Sequence, residues 1–326
     1  MKKSLICLSL IVFLFTSCFK KTETGLPPSS GRISEVLIVL PKQKWETAIG
    51  FNIKSLLMQD QEGLNQVEPI FELTQIQNTD FKGLFERQRK ILRVFINDTI
   101  TKDRLIAYKD VYSSPQIIAE LHAKNDSAGI KLLNERAESL IEMFKQVERE
   151  RLIKAFATTE NKSMGDDIEN KFGFRITFPE SYYLAKSDKG FAWIRLEAPK
   201  YSQAVMIYER DFTDSSQFSE NQLIAYRNFV TKQFIPGEMP NSYMSTDTVF
   251  KPVMRVVPFA NTKAIETRAL WKTVGDFMGG CFLSYTLHNK KKNKVVTLEG
   301  YVYYPNHEKR DLLMQLEAIL NSYVEK

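Results

Sequence analysis

Histidine and cysteine are the side chains of this sequence that could bind a metal ion or form a nucleophile with its base. Zinc sites use closely spaced ligands such as H-E-x-x-H or paired C-x-x-C, whereas His122, His288 and His307 stand apart. A nucleophilic Cys281 needs a base within hydrogen-bond reach, and His288 lies about 20 Å further along the same predicted strand. We therefore expect Cys281 to be a core residue, the histidines to be solvated or to cap elements, and the protein to use no metal or cofactor.

The sequence also lacks the short motifs that mark common enzymes. It contains no G-x-S-x-G nucleophile elbow, no P-loop and no G-x-G-x-x-G dinucleotide motif, each of which positions a nucleophile or a phosphate. Carboxylate pairs that are distant in sequence stay open, because only the fold brings such residues together. We expect a protein that acts by binding and is not an enzyme.

The first residues have the pattern of a secretory leader that ends at a cysteine. Two lysines are followed by an apolar run from Leu5 to Phe15, which is too short to cross a bilayer as a helix. Small residues then precede Cys18, and this order resembles the bacterial lipobox, in which the leader is cut before a lipidated cysteine. We expect residues 1–17 to be removed as a signal peptide and Cys18 to carry the lipid. The alternative is an ordinary signal peptide with an incidental cysteine.

Hydrophobic periodicity divides the remaining chain into two blocks, of which the first covers residues 33–160. Alternating apolar residues predict several strands there, among them Ile91–Ile96. Apolar residues at helical spacing from Ile130 to Val147 predict one long helix with Asp126 as its cap. The other faces of this helix are charged, including the run from Glu148 to Arg151, which is typical of a core-facing helix with a solvated outer side.

The second block covers residues 168–326 and follows a polar segment from Ala157 to Asp167, which we interpret as the domain boundary. A capping box at Ser219 predicts a helix, Cys281–Tyr303 predicts a hairpin, and Pro305 opens a final helix. Further short alternating runs predict more strands. The sequence therefore predicts an α+β fold of two domains, each a largely antiparallel sheet packed by helices.

Two sets of residues resemble known families. The second block opens with Phe172–Pro179 and closes with a hairpin and a helix. In this it resembles the PsbP/Mog1-type sandwich, a fold that serves many binding and assembly roles and implies no reaction. Four further segments are characteristic when taken together: Glu35–Val39, Arg149–Ile153, Gly275–Gly280 and Glu299–Tyr303. Through them the whole chain resembles an uncharacterised family of Bacteroidota lipoproteins, a domain of unknown function from which no catalytic residue can be carried over.

Residues 18–32 are polar and contain proline, glycine and serine, so we expect a flexible tether between the lipidated cysteine and the first domain. In Bacteroidota lipoproteins a dense acidic run after the cysteine directs the protein to the cell surface, and this sequence lacks that run. We therefore expect an outer-membrane anchor that faces the periplasm. The formal net charge of +6 includes the two lysines of the leader, and the rest is too thinly spread to indicate a nucleic-acid partner.

Two turns of the second block are candidate interaction sites. One holds Phe277 and Met278 between glycines; these side chains could contact a ligand or partner from a flexible lip. The alternative is a plain turn between two strands, since glycine adopts positive φ. The other candidate is a basic turn that contains Lys290, Lys291 and Lys292. It could meet anionic headgroups at about 1 kcal/mol per charge, and the alternative is a solvated hairpin tip whose charge blocks strand pairing.

Three short segments resemble the D-(S/T)-apolar acceptor of Bacteroidota O-glycosylation. Their hydroxyl residues are Thr99, Ser127 and Thr248. The pattern arises readily by chance, and Ser127 also fits the start of a helix. O-glycosylation at these residues is a hypothesis that an intact mass would test.

The sequence leaves two molecular roles open. One is an interaction or assembly module that presents two domains to a partner protein of the envelope. The other is a periplasmic binder of a small ligand or lipid, with its site at the domain junction near Ala157–Phe172. An apolar cavity would favour the binder, and an exposed apolar patch would favour the module.

Overall fold

The computed structural model describes residues 25–326, which form two domains, each built on one large sheet. The first domain contains, in chain order, β1 Glu35–Val39, α1 Lys42–Trp45, α2 Ala48–Leu57, β2 Glu72–Ile76, β3 Lys90–Ile96, β4 Arg104–Lys109, β5 Ile117–Ala123, α3 Asp126–Glu135 and α4 Ala137–Thr158. The second contains α5 Lys162–Phe172, β6 Phe174–Arg175, β7 Tyr183–Asp188, β8 Phe191–Glu197, β9 Ser202–Asp211, α6 Glu220–Phe234, β10 Tyr243–Thr246, β11 Val253–Phe259, β12 Thr262–Val274, β13 Gly279–Asn289, β14 Lys294–Tyr303, α7 Arg310–Asn321 and β15 Val324–Glu325.

The sheet of the first domain is mostly parallel, which differs from the largely antiparallel sheet expected there. Its strand order is β2-β1-β3-β5-β4, and of its four pairings only β4–β5 is antiparallel. The chain passes from β1 to β2 through α1 and α2, and such a crossover returns the chain in the same direction, whereas a tight turn reverses it. The α+β class itself is confirmed, and the large sheet of the second domain is antiparallel throughout.

Helices α2, α3 and α4 cover one face of the first sheet. Leu92 and Leu121 of the sheet pack there with Leu133 of α3 and Phe144 of α4. The single long helix predicted for this region is two helices, because at Arg136 the backbone leaves the helical conformation (φ −114°, ψ 9°). This break lets α3 pack on α2 and β5 while α4 runs on to contact α7.

The start of α3 also differs by one residue from the prediction. The cap is Asn125, whose side chain accepts a hydrogen bond from the backbone N–H of Ala128, whereas the sequence suggested Asp126. Asp126 instead accepts a hydrogen bond from the Lys44 ammonium group at 2.7 Å. Its carboxylate therefore ties α3 to α1 and leaves the capping role to its neighbour.

The second sheet is buried on both faces. Its strand order is β10-β12-β13-β14-β9-β8-β7, with β11 paired to β12. Because side chains alternate along a strand, Cys281 and Leu283 of β13 face the core with α5 and α7, and Phe282 faces the core with α6. Gly300 lies where α7 crosses β14, and a Cβ atom there would come within 2.9 Å of the Leu316 Cβ.

The passage between the domains is short. Helix α4 ends at Thr158 and α5 begins at Lys162, so much of the polar segment predicted as a boundary is helical. Met164 and Ile168 of α5 are buried in the core of the second domain. The helix therefore belongs to the second domain.

Part of the predicted tether packs on the first domain. Cys18 and the leader lie outside the described residues. The backbone N–H of Ser114 donates to the Pro27 carbonyl, and the N–H of Ser30 donates to the Arg87 carbonyl, at 2.9 Å each. From Pro27 onward the chain is thus hydrogen-bonded to the domain and differs from the free tether expected over residues 18–32. Among residues 25–326, no helix is long and apolar enough to cross a bilayer.

Candidate functional site

The two domains meet through buried charged side chains. Glu68 of the first domain lies at the N-terminus of α7, where its carboxylate accepts hydrogen bonds from the backbone N–H groups of Lys309 and Arg310 at 2.9 and 2.7 Å. The first turn of a helix has unpaired N–H groups, and Lys309 supplies no side-chain cap. The first domain therefore provides the cap for a helix of the second.

A second contact between the domains joins α4, α7 and β12. Arg149 of α4 donates to one oxygen of Glu317 at 2.8 Å, and Arg268 of β12 donates to the other at 2.6 Å. Burial by itself raises the pKa of Glu317, but the two guanidinium groups outweigh this effect and lower the pKa to about 2. Glu317 is therefore ionised at neutral pH and links the two domains.

Glu266 brings a second carboxylate into this cluster. It accepts hydrogen bonds from Arg268 at 2.8 Å and from Arg255 at 2.7 Å, and Arg255 also reaches Glu62 of the first domain at 2.8 Å. Burial raises the pKa of Glu266, but Arg268 outweighs it and the pKa is lowered. A general acid must be protonated when it acts, so two ionised carboxylates that share Arg268 do not form an acid–base pair. This arrangement indicates that Glu266 and Glu317 have a structural role.

A third buried ion pair lies between α6 and the second sheet. Arg227 donates to both oxygens of Glu299 at 3.0 Å, and the Tyr208 hydroxyl donates to the same carboxylate at 3.1 Å. The Arg227 guanidinium also lies 3.8 Å from the centre of the Phe282 ring. The cavity beside these residues has a volume of about 10 Å³, which has room for one water molecule. This place is therefore packed too tightly for a ligand.

The turn between β12 and β13 holds both predicted contact residues, Phe277 and Met278. Asp276 accepts hydrogen bonds from the backbone N–H groups of Phe277 at 2.7 Å and Glu238 at 2.9 Å, which lower the pKa of its carboxyl. Gly275 supplies the positive φ of +80°. Phe277 is fully exposed, whereas Met278 packs on the core beneath α6. The segment is thus a hydrogen-bonded turn from which only the Phe277 ring projects.

The basic turn lies at the other end of β13 and has structural partners. Lys291 donates to the carbonyl of Lys326 at 2.6 Å, and Lys292 donates to the carbonyl of Lys171, in the last turn of α5, at 3.2 Å. A lysine at a helix C-terminus is favourable because the helix dipole is negative there. Lys290 is exposed. The two candidate turns are separated by the full length of β13, about 35 Å, and they do not form one site.

A groove with a volume of about 460 Å³ lies between α4 and the β4–β5 edge of the first sheet. Apolar residues that line it include Met143, Val147 and Ile117. Lys109 and Glu150 also line it and form an ion pair at 2.9 Å. The groove lies within the first domain. It does not lie at the domain junction near residues 157–172, where a ligand site is expected from the sequence.

The remaining candidate residues do not assemble into a common site. Cys281 is fully buried, as predicted, and burial raises the pKa of its thiol to about 12. The hydroxyl residues Thr99, Ser127 and Thr248 are exposed. Each histidine stacks on an aromatic ring: His122 on Phe95, His288 on Phe212 and His307 on Tyr304. In the part of the chain that the structure describes, no three His, Cys, Asp or Glu side chains are grouped to hold a metal ion.

The geometry defines a two-domain α+β protein whose domains are joined by buried ion pairs. Each domain matches the model of an uncharacterised family: residues 29–157 match a domain of unknown function (DUF8532), and residues 161–322 match another (DUF4837). The interval between the two matches coincides with the short connection from α4 to α5. A comparison with curated proteins finds no match. The family matches assign no activity, ligand or site residue to either domain.

Proposed function

We propose that this protein is a lipid-anchored module of the bacterial cell envelope that binds a partner protein through the turn at Phe277. In this proposal Cys18 carries the lipid, and the anchor lies in the outer membrane and faces the periplasm, as in the Bacteroidota lipoproteins that the sequence resembles. The protein acts by binding, without catalysis and without nucleic acid. The ion pairing of both Glu266 and Glu317 with Arg268 supports a role in binding without catalysis.

The exposed ring of Phe277 carries the proposal. Full burial of a phenylalanine side chain stabilises a protein or a complex by about 2 kcal/mol. The free protein lacks this stabilisation at position 277, because the ring is exposed. Because Asp276 fixes the backbone of the turn through hydrogen bonds, the turn itself would lose little conformational entropy when the exposed ring binds a partner. Aromatic side chains presented in this way are typical centres of protein interfaces.

Site-specific photo-crosslinking in native envelopes tests this assignment. Benzoylphenylalanine is placed at position 277 and, as the matched control, at Phe229, an exposed aromatic residue on α6. We expect a discrete crosslinked species at 277 that excess unlabelled protein competes away, and no such species at 229. The same partner should no longer copurify with Phe277→Ser but should copurify with Phe229→Ser. Equal adducts at both positions, or none at 277, would refute the proposal.

The lipid anchor has its own test. Cys18→Ala should be released from membranes, because a protein without acyl chains lacks the buried hydrocarbon that holds a lipoprotein in the bilayer. Membrane flotation of the parent and of Cys18→Ala measures this difference. Tight membrane association of Cys18→Ala would contradict the anchor and would leave the role of Phe277 to be judged separately.

The groove between α4 and the β4–β5 edge favours a second candidate role, the binding of a small ligand or lipid. Its volume of about 460 Å³ lies within the range of small-molecule sites. Native mass spectrometry of the purified protein would detect a retained ligand, and Met143→Trp should displace it by filling the groove. Phe277→Ser should leave that ligand in place, which separates the two roles. A mass that equals the lipidated polypeptide alone would contradict this second role.

A further inference from the structure

Five large apolar side chains are exposed where the tether joins the first domain. They lie on three neighbouring segments, and each is more than a third exposed: Leu26, Leu84, Phe85, Val111 and Tyr112. We call these five residues the tether-side surface. Single exposed apolar residues are ordinary on a protein surface, but a group of them at one place marks a contact surface.

Hydrogen bonds hold the three segments of the tether-side surface together. The backbone N–H of Ser114 donates to the Pro27 carbonyl at 2.9 Å. The side-chain amide of Gln116, which is fully buried, donates to the Glu86 carbonyl at 2.6 Å. These bonds fix the loop before β3 and the loop before β5 against the chain that enters the domain. The loops that carry the exposed apolar side chains are therefore held in place beside the tether.

Arg89 fixes the point from which the tether leaves the domain. Its guanidinium group donates to the Ser29 hydroxyl and the Gly31 carbonyl at 3.2 Å each, and to Glu148 at 2.8 Å. Cys18 lies only nine residues before Pro27, and an extended chain of that length spans at most about 30 Å. A lipid on Cys18 would therefore keep the tether-side surface within about this distance of a bilayer.

We infer that the tether-side surface contacts the bilayer that holds the Cys18 lipid, an inference that rests on the lipid anchor of the proposed function. The bilayer is the occupant favoured by the short chain between the anchor and the surface. Exposed Lys82 and Arg87 flank the apolar residues of the loop before β3, where they can pair with lipid phosphates while their aliphatic stems cover apolar area. Tyr112 is also typical of the interface between headgroups and acyl chains.

Depth-dependent fluorescence quenching tests this contact on the full-length lipidated protein in phosphatidylethanolamine and phosphatidylglycerol vesicles. An environment-sensitive dye is attached to Leu84→Cys and, on the second loop, to Val111→Cys. The matched control is Phe229→Cys on α6. Helix α6 covers one face of the second sheet, and α7, which contacts α4 of the first domain, covers the opposite face. Cys281 is buried and should take no dye, which the parent protein verifies.

We expect doxyl-labelled lipid to remove most of the emission at positions 84 and 111 and to leave the emission at 229 unchanged, in protein that floats with the vesicles. Floating protein with no quenching at 84 and 111, or with equal quenching at all three positions, would overturn the inference while the anchor stands. Shielding of the dye at 84 from aqueous iodide without quenching by lipid would assign the surface to a protein contact and would also overturn it. Protein that does not float would overturn the anchor and the inference together.

Discussion

Glu317→Gln is the perturbation that most directly tests how the two domains are joined. The substitution leaves Arg149 and Arg268 buried without their shared carboxylate, and removal of one partner from a buried ion pair typically costs about 3–5 kcal/mol. The lowered pKa gives a second measure, because a change from 4.5 to about 2 corresponds to about 3 kcal/mol of stabilisation through linkage. We therefore expect the variant to be about 3 kcal/mol less stable than the parent at pH 7 in urea unfolding followed by circular dichroism.

The same linkage gives the pH dependence a definite sign. Because the pKa of Glu317 is depressed in the folded state, its stabilisation is complete above the unfolded value near 4.5 and is lost as the pH falls toward about 2. The gap in free energy between the parent and Glu317→Gln should therefore narrow by about 2 kcal/mol between pH 7 and pH 3. Glu180→Gln changes an exposed carboxylate and should follow the parent at both pH values. A gap below about 1 kcal/mol at pH 7, or one that does not change by pH 3, would refute this account of the interface.

Three other residues give tests with a single readout. Glu68→Ala should lower the free energy of unfolding by about 1–2 kcal/mol, because it removes the cap of α7; an unchanged urea midpoint would contradict that role. Phe277→Ser should change the free energy of unfolding by less than about 0.5 kcal/mol, since the ring is exposed, and a larger loss would mean that the ring belongs to the core. Cys281, with a thiol pKa of about 12, should resist alkylation in native protein and react only after denaturant is added; rapid native labelling would show that the core opens.

Local patterns in the sequence predict those elements whose partners are close along the chain. The hairpin over residues 281–303 is confirmed as β13 and β14. The helix after Ser219 begins at Glu220 as predicted, although the Ser219 side chain makes no capping hydrogen bond. Cys281 is buried as well, as expected for a cysteine that has no base nearby and behaves as a small apolar residue. The direction of the strands in the first sheet could not be obtained in this way, because it depends on where the crossover through α1 and α2 returns the chain.

Two buried charged residues of α4 show where local pattern fails. Glu148 and Arg149 have the spacing of a solvated helix face, yet both are buried, because Glu148 pairs with Lys90 of the first sheet and Arg149 pairs with Glu317 of α7. The spacing of apolar residues along a helix indicates one apolar surface that packs against it. This spacing gives no indication of a second, polar surface that packs against another side of the helix. Strand β12 does carry a signal of buried charge. Glu266 and Arg268 lie two residues apart on the same face of the strand as buried Ala264, and they have opposite charges.

Buried ion pairs at the domain interface also restrict the orientation of one domain relative to the other. A carboxylate between two guanidinium groups fixes its partners in direction as well as in distance, whereas an apolar contact of equal area tolerates sliding. If Glu317 serves to orient the second domain, then the crosslink at position 277 should weaken in Glu317→Gln under conditions in which both domains remain folded. Limited proteolysis and circular dichroism would verify that folded state. A crosslink of undiminished yield in that variant would show that the Phe277 turn engages its partner without any fixed orientation of the two domains.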